Sequence, residues 1–417
     1  MAITRQLSPV VEPAAARPPA SRSDSPATEA VIARVLDRGR ATAEEAYGLI
    51  RAPAAEVPAL MLAASALRDR YRPRVVTYSR KVFIPLTNLC RDICGYCTFV
   101  RQPDDPQAHT MAPEEVLAVA RAARRAGCKE ALFSLGDKPE AKYPSYRRWL
   151  KQRGYASTLH YLRDMCDLVY RETGLLPHVN PGLMTEEDIA ALREVSVSMG
   201  IMLETVSDRI LRPGQAHHRC PDKVPKRRLA TIEAAGRQRV AFTTGILIGI
   251  GETAEERVDS LFAIRELHEH YGHVQEVIVQ NFRAKPDIPM RDQPEPTLLD
   301  MLRTIAVARL ILGGGMNLQA PPNLAGDSYQ LYLLAGINDW GGVSPVTRDY
   351  INPERPWPQL LHLRQLSEDA GFPLRERLAI YPEYIIDNES FIPAPLRQGV
   401  NHLAGSDGLV RREDEQW

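Results

Sequence analysis

Residues 81–97 read KVFIPLTNLCRDICGYC, an apolar run followed at once by three cysteines. The apolar run has the composition of a short buried strand. Cys90, Cys94 and Cys97 follow with the spacing C-x3-C-x2-C, close enough together to hold a cubane iron–sulfur cluster or another soft metal. Three thiolates on four irons would leave one iron open for a ligand. Structural zinc is the alternative, but it normally takes two close ligand pairs, and the nearest histidine is His109.

The rest of the chain repeats the order of a strand followed by a helix. This alternation indicates parallel strands joined by crossover helices, in either a closed barrel or an open doubly wound sheet. Both architectures place active sites at the carboxyl ends of the strands, and the pattern does not choose between them. We predict strands at 81–87, 130–136, 176–182, 199–205, 240–251 and 276–282, and helices at about 113–127, 157–173, 185–195, 224–237, 254–271 and 297–312.

Four segments of the chain differ in composition. Residues 1–26 are rich in Pro, Ala and Ser and cannot bury enough apolar surface to fold, so we expect a disordered tail. Residues 27–74 have helical periodicity and are predicted as a helical lead-in. The β/α core is predicted over residues 75–290. Residues 291–417, richer in Pro and Gly, are predicted as a C-terminal extension that completes or caps the core.

The composition is that of a folded protein without a bias toward one kind of partner. Lys plus Arg number 52 and Asp plus Glu number 52 among 417 residues, so the formal net charge is zero. This balance argues against a nucleic-acid partner, and no apolar run approaches the ~20 residues of a membrane helix. The basic run at residues 223–228 is interpreted as a solvated helix start. No secretory signal pattern is evident, so we expect a cytoplasmic protein whose six cysteines are thiols or ligands.

The cysteine motif resembles that of the radical S-adenosylmethionine (SAM) superfamily, C-x3-C-x-aromatic-C, with Tyr96 at the aromatic position. The resemblance implies an α/β fold, a partial or complete (β/α) TIM-type barrel. It also implies a 4Fe-4S cluster held by Cys90, Cys94 and Cys97, with SAM on the open iron and Tyr96 against it. Reduction by an external donor such as ferredoxin or flavodoxin would then cleave SAM to a 5′-deoxyadenosyl radical.

Further segments match positions that contact SAM in this superfamily. The resemblance assigns Gly136 and Asp137 to the methionine end, although Asp137 stands where the superfamily usually has Glu, and it assigns Glu204 to the ribose. The adenine side is assigned to the end of the fifth strand, at Gly245, Gly249, Gly251 and Glu252. Taken alone, this glycine pattern also fits a weak dinucleotide-binding fingerprint. The negative charge of Glu252 argues against that alternative, because it would lie beside a pyrophosphate.

Several segments narrow the resemblance to one family within the superfamily. Residues 90–99, 134–140, 280–283, 338–345 and 352–357 are similar to 7,8-didemethyl-8-hydroxy-5-deazariboflavin (FO) synthase, subunit 1. The similarity extends from about residue 75 to about residue 390. The single cysteine triad implies the stand-alone subunit rather than a two-domain fusion.

This resemblance implies a carbon–nitrogen lyase of coenzyme F-420 biosynthesis. FO synthase subunit 2 joins the hydroxybenzyl group of tyrosine to 5-amino-6-(D-ribitylamino)uracil. The present chain would convert the adduct, 5-amino-5-(4-hydroxybenzyl)-6-(D-ribitylimino)-5,6-dihydrouracil, to FO with loss of ammonia. The alternatives are a partner-subunit-type reaction, a biotin- or thiamine-pathway radical SAM enzyme, an iron–sulfur electron carrier and a zinc-structured binding protein. A fourth protein ligand on the cluster would favour the electron carrier.

A ribityl-uracil substrate needs several polar groups to orient it in a closed pocket. Polar or aromatic residues after the sixth strand and in the C-terminal third are the candidates: Asn281, Arg283, Asn338, Asp339 and Trp340. The other cysteines, Cys128, Cys166 and Cys220, share no spacing with the triad and are interpreted as core or incidental thiols. The sequence assigns no general acid or base.

Overall fold

A parallel β-barrel forms the centre of the molecule. The structure, a computed structural model, describes residues 28–326 and 329–415, and the tail predicted over residues 1–26 lies outside them. The strands are β1 (Val76–Pro85), β2 (Glu130–Ser134), β3 (Leu176–Asn180), β4 (Ser198–Gly200), β5 (Phe242–Ile248), β6 (Val274–Asn281), β7 (Leu318–Gln319), β8 (Asp339–Val343) and β9 (Leu374–Glu376).

The first eight strands close on themselves. Consecutive strands pair in parallel from β1 to β8, and β8 pairs back onto β1, which completes the ring. The short β9 pairs with the first residues of β1, Val76–Tyr78, and so lies at the amino-terminal floor of the barrel. The sequence pattern left the barrel and the open sheet unresolved, and the closed ring confirms the barrel that the resemblance implied.

Helices surround the barrel and precede it. They are α1 (Thr28–Arg38), α2 (Ala43–Ile50), α3 (Val57–Tyr71), α4 (Pro113–Arg125), α5 (Pro139–Lys142), α6 (Pro144–Gln152), α7 (Thr158–Thr173), α8 (Glu186–Arg193), α9 (Pro225–Arg237), α10 (Ala254–Tyr271), α11 (Leu298–Leu312), α12 (Pro322–Ala325), α13 (Tyr329–Leu334), α14 (Leu360–Asp369), α15 (Pro382–Ile386) and α16 (Arg397–Leu403). Thr42, Thr185 and Thr253 begin α2, α8 and α10 with reciprocal capping boxes. These local signals fix where the helices start.

The burial of the strands explains how the sequence specifies a barrel. All seven residues of β5 are buried, as expected for a parallel strand covered on both faces. The fourth strand is shorter than its predicted range of 199–205, because the chain leaves the sheet after Gly200. It returns to β5 only through a single bridge between Glu204 and Ile246. The strands β7 and β8, which close the barrel, lie in the predicted C-terminal extension.

The helical lead-in packs on the outside of the barrel. Helices α2 and α3 contact α10 and α11, and Val35, Leu49 and Leu60 are buried in the shared hydrophobic core. Within residues 28–326 and 329–415, no single helix is long and apolar enough to cross a membrane. One bent pair, Ala43–Ile50 with Ala54–Tyr71, passes that test by length and composition only.

Candidate active site

A cavity of about 280 Å³, which we call the outer cavity, lies where the loops after β1 to β6 converge at the carboxyl ends of the strands. The predicted site residues that line it are Cys90, Cys94, Tyr96, Cys97, Gly136, Asp137, Glu204, Asn281 and Arg283. The structure thus brings together residues from four separate strand ends. This is the edge at which (β/α)8 barrels carry their active sites.

Contacts with the end of β2 fix the cysteine loop. The backbone N–H of Arg91 donates to the carbonyl oxygen of Asp137 at 2.9 Å, and the N–H of Asp137 donates to Cys90 Sγ at 3.2 Å. A Cβ at Gly136 would collide with the carbonyl oxygen of Leu89, so the two segments can approach this closely only with glycine at that position. Burial raises the pKa of the Cys90 thiol. Its thiolate form therefore requires a cation nearby.

A fourth thiol adjoins the motif. Cys220 Sγ lies 3.7 Å from Cys94 Sγ, and both residues are buried. The hydrogen bond from Cys220 lowers the pKa of Cys94. Cys220 is thus a core thiol, one of the two interpretations predicted for it, but it lies beside the motif, and its separation of 126 residues from Cys94 explains why no local spacing identified this contact. Cys128 and Cys166 are packed in the main hydrophobic core, as their interpretation required.

Glu204 and Tyr96 belong to a buried polar network. Lys223 Nζ lies 2.6 Å from Glu204 Oε1, and the Tyr96 hydroxyl donates to the same oxygen at 3.3 Å. His217 Nε2 lies 3.0 Å from that hydroxyl. Burial alone would raise the pKa of Glu204, but the charges of Lys223 and Arg228 lower it, so Glu204 is ionised at neutral pH. Its left-handed backbone, with φ of 65°, is the kind of strain that clusters at functional sites.

The basic run at residues 223–228 differs from its predicted role as a solvated helix start. Lys223 and Arg228 line the outer cavity, while the other two basic residues are exposed. Arg228 Nε donates to the carbonyl oxygen of Met202 at 2.6 Å, and the side chain is buried. The loop before α9 folds over the cysteine loop and turns two of the four positive charges inward. The sequence of a run of like charges does not predict which of its side chains face a site.

Asp137 is a buried carboxylate with one unpaired oxygen. Its Oδ2 accepts the backbone N–H of Leu183 at 2.9 Å, whereas no described residue hydrogen-bonds to its buried Oδ1. The carboxylates of Asp92 and Asp222 lie close by. Burial, followed by the charge of Asp222, raises the pKa of Asp137 to about 7. A cationic ligand would satisfy the oxygen and offset this repulsion.

The glycine-rich turn after β5 is held by hydrogen bonds to its own residue Glu252. The carboxylate of Glu252 accepts the N–H of Gly249 at 2.8 Å and of Ile250 at 2.9 Å. Gly249, Gly251 and Glu252 line a separate surface cavity, and Gly245 lies inside β5 against β6. The structure therefore does not bring these four predicted SAM contacts to the outer cavity. The turn's amides are also taken, which argues against the dinucleotide alternative, because a pyrophosphate would need them.

The predicted substrate residues separate into two groups. Asn281 and Arg283 line the outer cavity at the end of β6. Asn338, Asp339 and Trp340 lie at the opposite end of the barrel, where β8 begins, and do not line the outer cavity. Trp340 is fully buried in the hydrophobic core. The structure does not bring these three to the site, because the carboxyl end of a barrel strand, rather than its start, reaches the loops.

The outer cavity fits the two groups that the resemblance implied. Cys90, Cys94 and Cys97 supply three soft ligands from one loop, the donor set of a cluster with an open iron. The unpaired Oδ1 of Asp137 suits an ammonium group such as that of SAM. The side chains of Leu247, Ile250 and Phe282 form an apolar layer beside the cysteine loop.

Comparison with known proteins gives the class and the fold of this chain. The sequence profile of the radical SAM superfamily matches residues 84–264. The solved structure of methylornithine synthase has a TM-score of 0.65 and 20% identity, and covers 82% of this chain and 97% of that one. A maturase of the FeFe-hydrogenase has a TM-score of 0.69 and 16% identity, and covers 89% and 78%. These two structures share the fold. The protein is a radical SAM enzyme, a class whose cofactors are a 4Fe-4S cluster and SAM.

Sequence relatives define the family more narrowly. The 7,8-didemethyl-8-hydroxy-5-deazariboflavin synthase of Methanopyrus kandleri is 51% identical over 337 residues, 81% of this chain and 100% of that protein. The FO synthase of Streptomyces coelicolor is 49% identical over 401 residues, 93% of this chain and 46% of that protein. The chain thus spans about half the length of the FO synthases that it matches. It belongs to the 7,8-didemethyl-8-hydroxy-5-deazariboflavin synthase family.

Proposed function

We propose that this protein cyclises the hydroxybenzyl–ribityluracil adduct to FO with loss of ammonia, a step of coenzyme F-420 biosynthesis. The observation that carries the proposal is the 51% identity with the Methanopyrus kandleri synthase over the whole length of that protein. The outer cavity supports it, because three thiols and an unpaired carboxylate oxygen meet there beside an apolar wall. The partner-subunit reaction and the electron carrier lack a comparable observation.

Seven residues that line the outer cavity have a role in this proposal. Cys90, Cys94 and Cys97 would hold the cluster, which would supply the electron for reductive cleavage of SAM. Asp137 binds the ammonium of SAM through Oδ1. Glu204, held ionised by Lys223, accepts hydrogen bonds from the ribose hydroxyls. Tyr96 lies against the same ligand from the cysteine loop.

One wall of the outer cavity is apolar. A primary carbon radical abstracts hydrogen from any accessible C–H bond, so the site must hold the substrate and little else. Leu247 and Phe282 are buried in the same apolar cluster as Cys94 and supply an apolar surface on one side. Residues 349–352 also line the cavity and lie against the end of the cysteine loop, where the Thr98 hydroxyl donates to the carbonyl oxygen of Ile351 at 2.9 Å.

The reaction implies a supplier of the adduct and a reductant. We infer that FO synthase subunit 2 supplies the adduct, and that a small electron carrier of the ferredoxin or flavodoxin type reduces the cluster. All six cysteines are free thiols, which supports a reducing compartment such as the cytoplasm.

An anaerobic assay tests the proposal. The protein is reconstituted with iron and sulfide, reduced, and supplied with SAM and the adduct. We expect 5′-deoxyadenosine and fluorescent FO to accumulate together, and neither to form with the Cys94→Ala variant. Formation of 5′-deoxyadenosine without FO would reject the proposed substrate but not the assignment to the radical SAM enzymes. An intact cluster that yields neither product would reject both.

A further inference from the structure

A second cavity continues the outer cavity toward the floor of the barrel. This inner cavity has a volume of about 200 Å³ and shares Phe83, Asn180 and Gln280 with the outer cavity. At its far end it is lined by charged and polar side chains that the proposed function leaves without a role: Lys81, Glu130, His178, Thr243, Glu276 and Arg377. A ligand in the two cavities would have one end beside the cysteines and the other on this floor.

The charges on the floor are already paired with one another. Lys81 Nζ lies 2.7 Å from Glu130 Oε1. The guanidinium of Arg377 lies 3.2 Å from Glu276 and 2.6 Å from Asp339. Each cation therefore has a carboxylate partner. A phosphate or carboxylate ligand would find no uncompensated positive charge here, and its burial would carry a large desolvation cost.

The hydrogen bonds of His178, which lines the inner cavity, show which of its ring nitrogens is left as an acceptor. Ser198 Oγ donates its only proton to the carbonyl oxygen of Ala379 at 2.7 Å, so in its 2.7 Å contact with His178 Nδ1 it must accept. Burial lowers the pKa of His178 to about 4, so the ring is neutral with its proton on Nδ1. Nε2 then carries a lone pair, and no described residue donates to it.

Glycines in β8 keep space open for these polar groups. A Cβ at Gly342 would collide with the side chain of Lys81, and one at Gly341 would lie 2.5 Å from Gln319 Nε2. The interior of a (β/α)8 barrel is normally filled by branched apolar side chains. Here β8 instead leaves room for the ammonium of Lys81 and the amide of Gln319 beside an open cavity. This is the arrangement of a binding site for a polar ligand.

We propose that the inner cavity is the subsite for an uncharged polyhydroxy chain, the D-ribityl group of the substrate. This inference rests on the proposed function. His178 Nε2 accepts a hydrogen bond from one hydroxyl, and the ammonium of Lys81, which has N–H donors left after Glu130, donates hydrogen bonds to others. The stacked rings of Phe83 and Trp357, with centroids 5.0 Å apart, contact the ring portion where the two cavities join.

Binding measured without turnover is the first test. Anaerobic calorimetry compares 5-amino-6-(D-ribitylamino)uracil with the analogue that has a pentyl chain in place of ribityl, both on the wild-type protein. We expect the pentyl analogue to bind at least tenfold more weakly, and the 5′-phosphate of the ribityl compound to lose at least as much. Equal affinity for the ribityl and pentyl compounds, or tighter binding of the phosphate, would overturn the proposal.

Variants of the floor give the second test. His178→Leu removes the acceptor, and Lys81→Met with Glu130→Gln removes an ion pair without leaving one charge unpaired. Each should raise KM for the adduct at least tenfold and leave the weak affinity for the pentyl analogue unchanged. Lys129→Met with Glu376→Gln is the matched control, because these two residues form a buried ion pair at 3.1 Å and line neither cavity.

The outcomes separate this inference from the proposed function. If the wild-type enzyme makes no FO from the adduct, the proposed function fails and the inference fails with it. If it makes FO while the floor variants keep the wild-type KM, only the inference fails. If a floor variant does not fold, the deciding measurement is the affinity of the wild-type protein for the ribityl compound compared with the pentyl compound.

Discussion

Replacing Asp137 by asparagine tests the site through two effects of opposite sign. The side chain has a buried Oδ1 without a described partner and lies beside Asp92 and Asp222. If Oδ1 binds the ammonium of SAM, Asp137→Asn weakens SAM binding. Because the same carboxylate is destabilised by burial and by its neighbours, the substitution should also stabilise the protein without its ligands.

The loss of binding follows from the kind of contact removed. A hydrogen bond between two charged groups contributes about 1.5–3 kcal/mol, so the Kd for SAM should rise by roughly 10- to 150-fold. The asparagine side chain keeps an amide oxygen that can accept from the backbone N–H of Leu183, as Asp137 Oδ2 does at 2.9 Å. The loop should therefore hold its position, and the change in Kd should report the lost charge.

The gain in stability depends on pH. Burial raises the pKa of Asp137 from 3.8 to about 7. A carboxyl group with a raised pKa in the folded state costs stability once the unfolded chain ionises, so the cost starts near pH 4, grows with pH and levels off above pH 7. A difference of about three pKa units corresponds to about 4 kcal/mol. The advantage of Asp137→Asn over the wild type should thus be near zero at pH 4 and largest above pH 7.

Equilibrium dialysis of SAM against the reconstituted protein, and urea unfolding of the cluster-free protein between pH 5 and pH 8.5, measure the two effects. Asp222→Asn is the control, since it removes a charge from the same group of carboxylates but does not line the outer cavity. It should leave the Kd for SAM within about threefold of the wild type, well below the expected loss for a charged contact. An unchanged Kd in Asp137→Asn would refute the contact with the ammonium, and a stability difference that is independent of pH would refute the electrostatic account.

Three further substitutions probe the cluster and the barrel. Cys94→Ala should abolish iron incorporation and 5′-deoxyadenosine formation while the circular dichroism spectrum keeps its α/β shape; retained iron would remove Cys94 from the ligand set. Cys220→Ala should keep the cluster but shift its reduction potential to a more negative value in an anaerobic redox titration, because a hydrogen bond to Cys94 sulfur is lost. Trp340→Phe should lower the free energy of unfolding by about 1–3 kcal/mol, since it removes core volume and the bond to Ser367, and should leave KM for the adduct unchanged. A raised KM in that variant would return Trp340 to the substrate site.

Most of the fold could be predicted from local patterns. The helix predicted at 254–271 is observed at Ala254–Tyr271, because Thr253 caps its start and Gly272 ends it in a left-handed conformation. The last two barrel strands could not be found in this way. β7 is two residues long, and β8 reads DWGGV, whose glycines have low strand propensity. Both are strands because the neighbouring β6 and β1 need partners to close the ring.

In the site, too, the features that could be predicted are local in sequence, and the others depend on long-range contacts. The cysteine triad and the turn at Gly136 could be predicted, because their chemistry is contained in a few consecutive residues. Cys220 and Lys223 could not, because a loop more than 120 residues later brings Cys220 to Cys94. At Glu252 the structure shows a contact within the motif itself, because the carboxylate accepts the amides of its own turn, and the role of this motif toward SAM stays a prediction. A motif shows that a residue type is present and leaves open what that residue contacts.

The inner cavity is where the sequence and the fold conflict, and the conflict itself is informative. A parallel barrel strand is buried on both faces and is expected to be apolar, yet Lys81, Glu130 and Glu276 lie on strands β1, β2 and β6. Their burial costs stability that apolar side chains would not, and pairing offsets only part of this cost. Such local violations concentrate at functional sites. We infer that the loops at the carboxyl ends of the strands bind the cofactors, whereas side chains on the strands themselves determine substrate specificity.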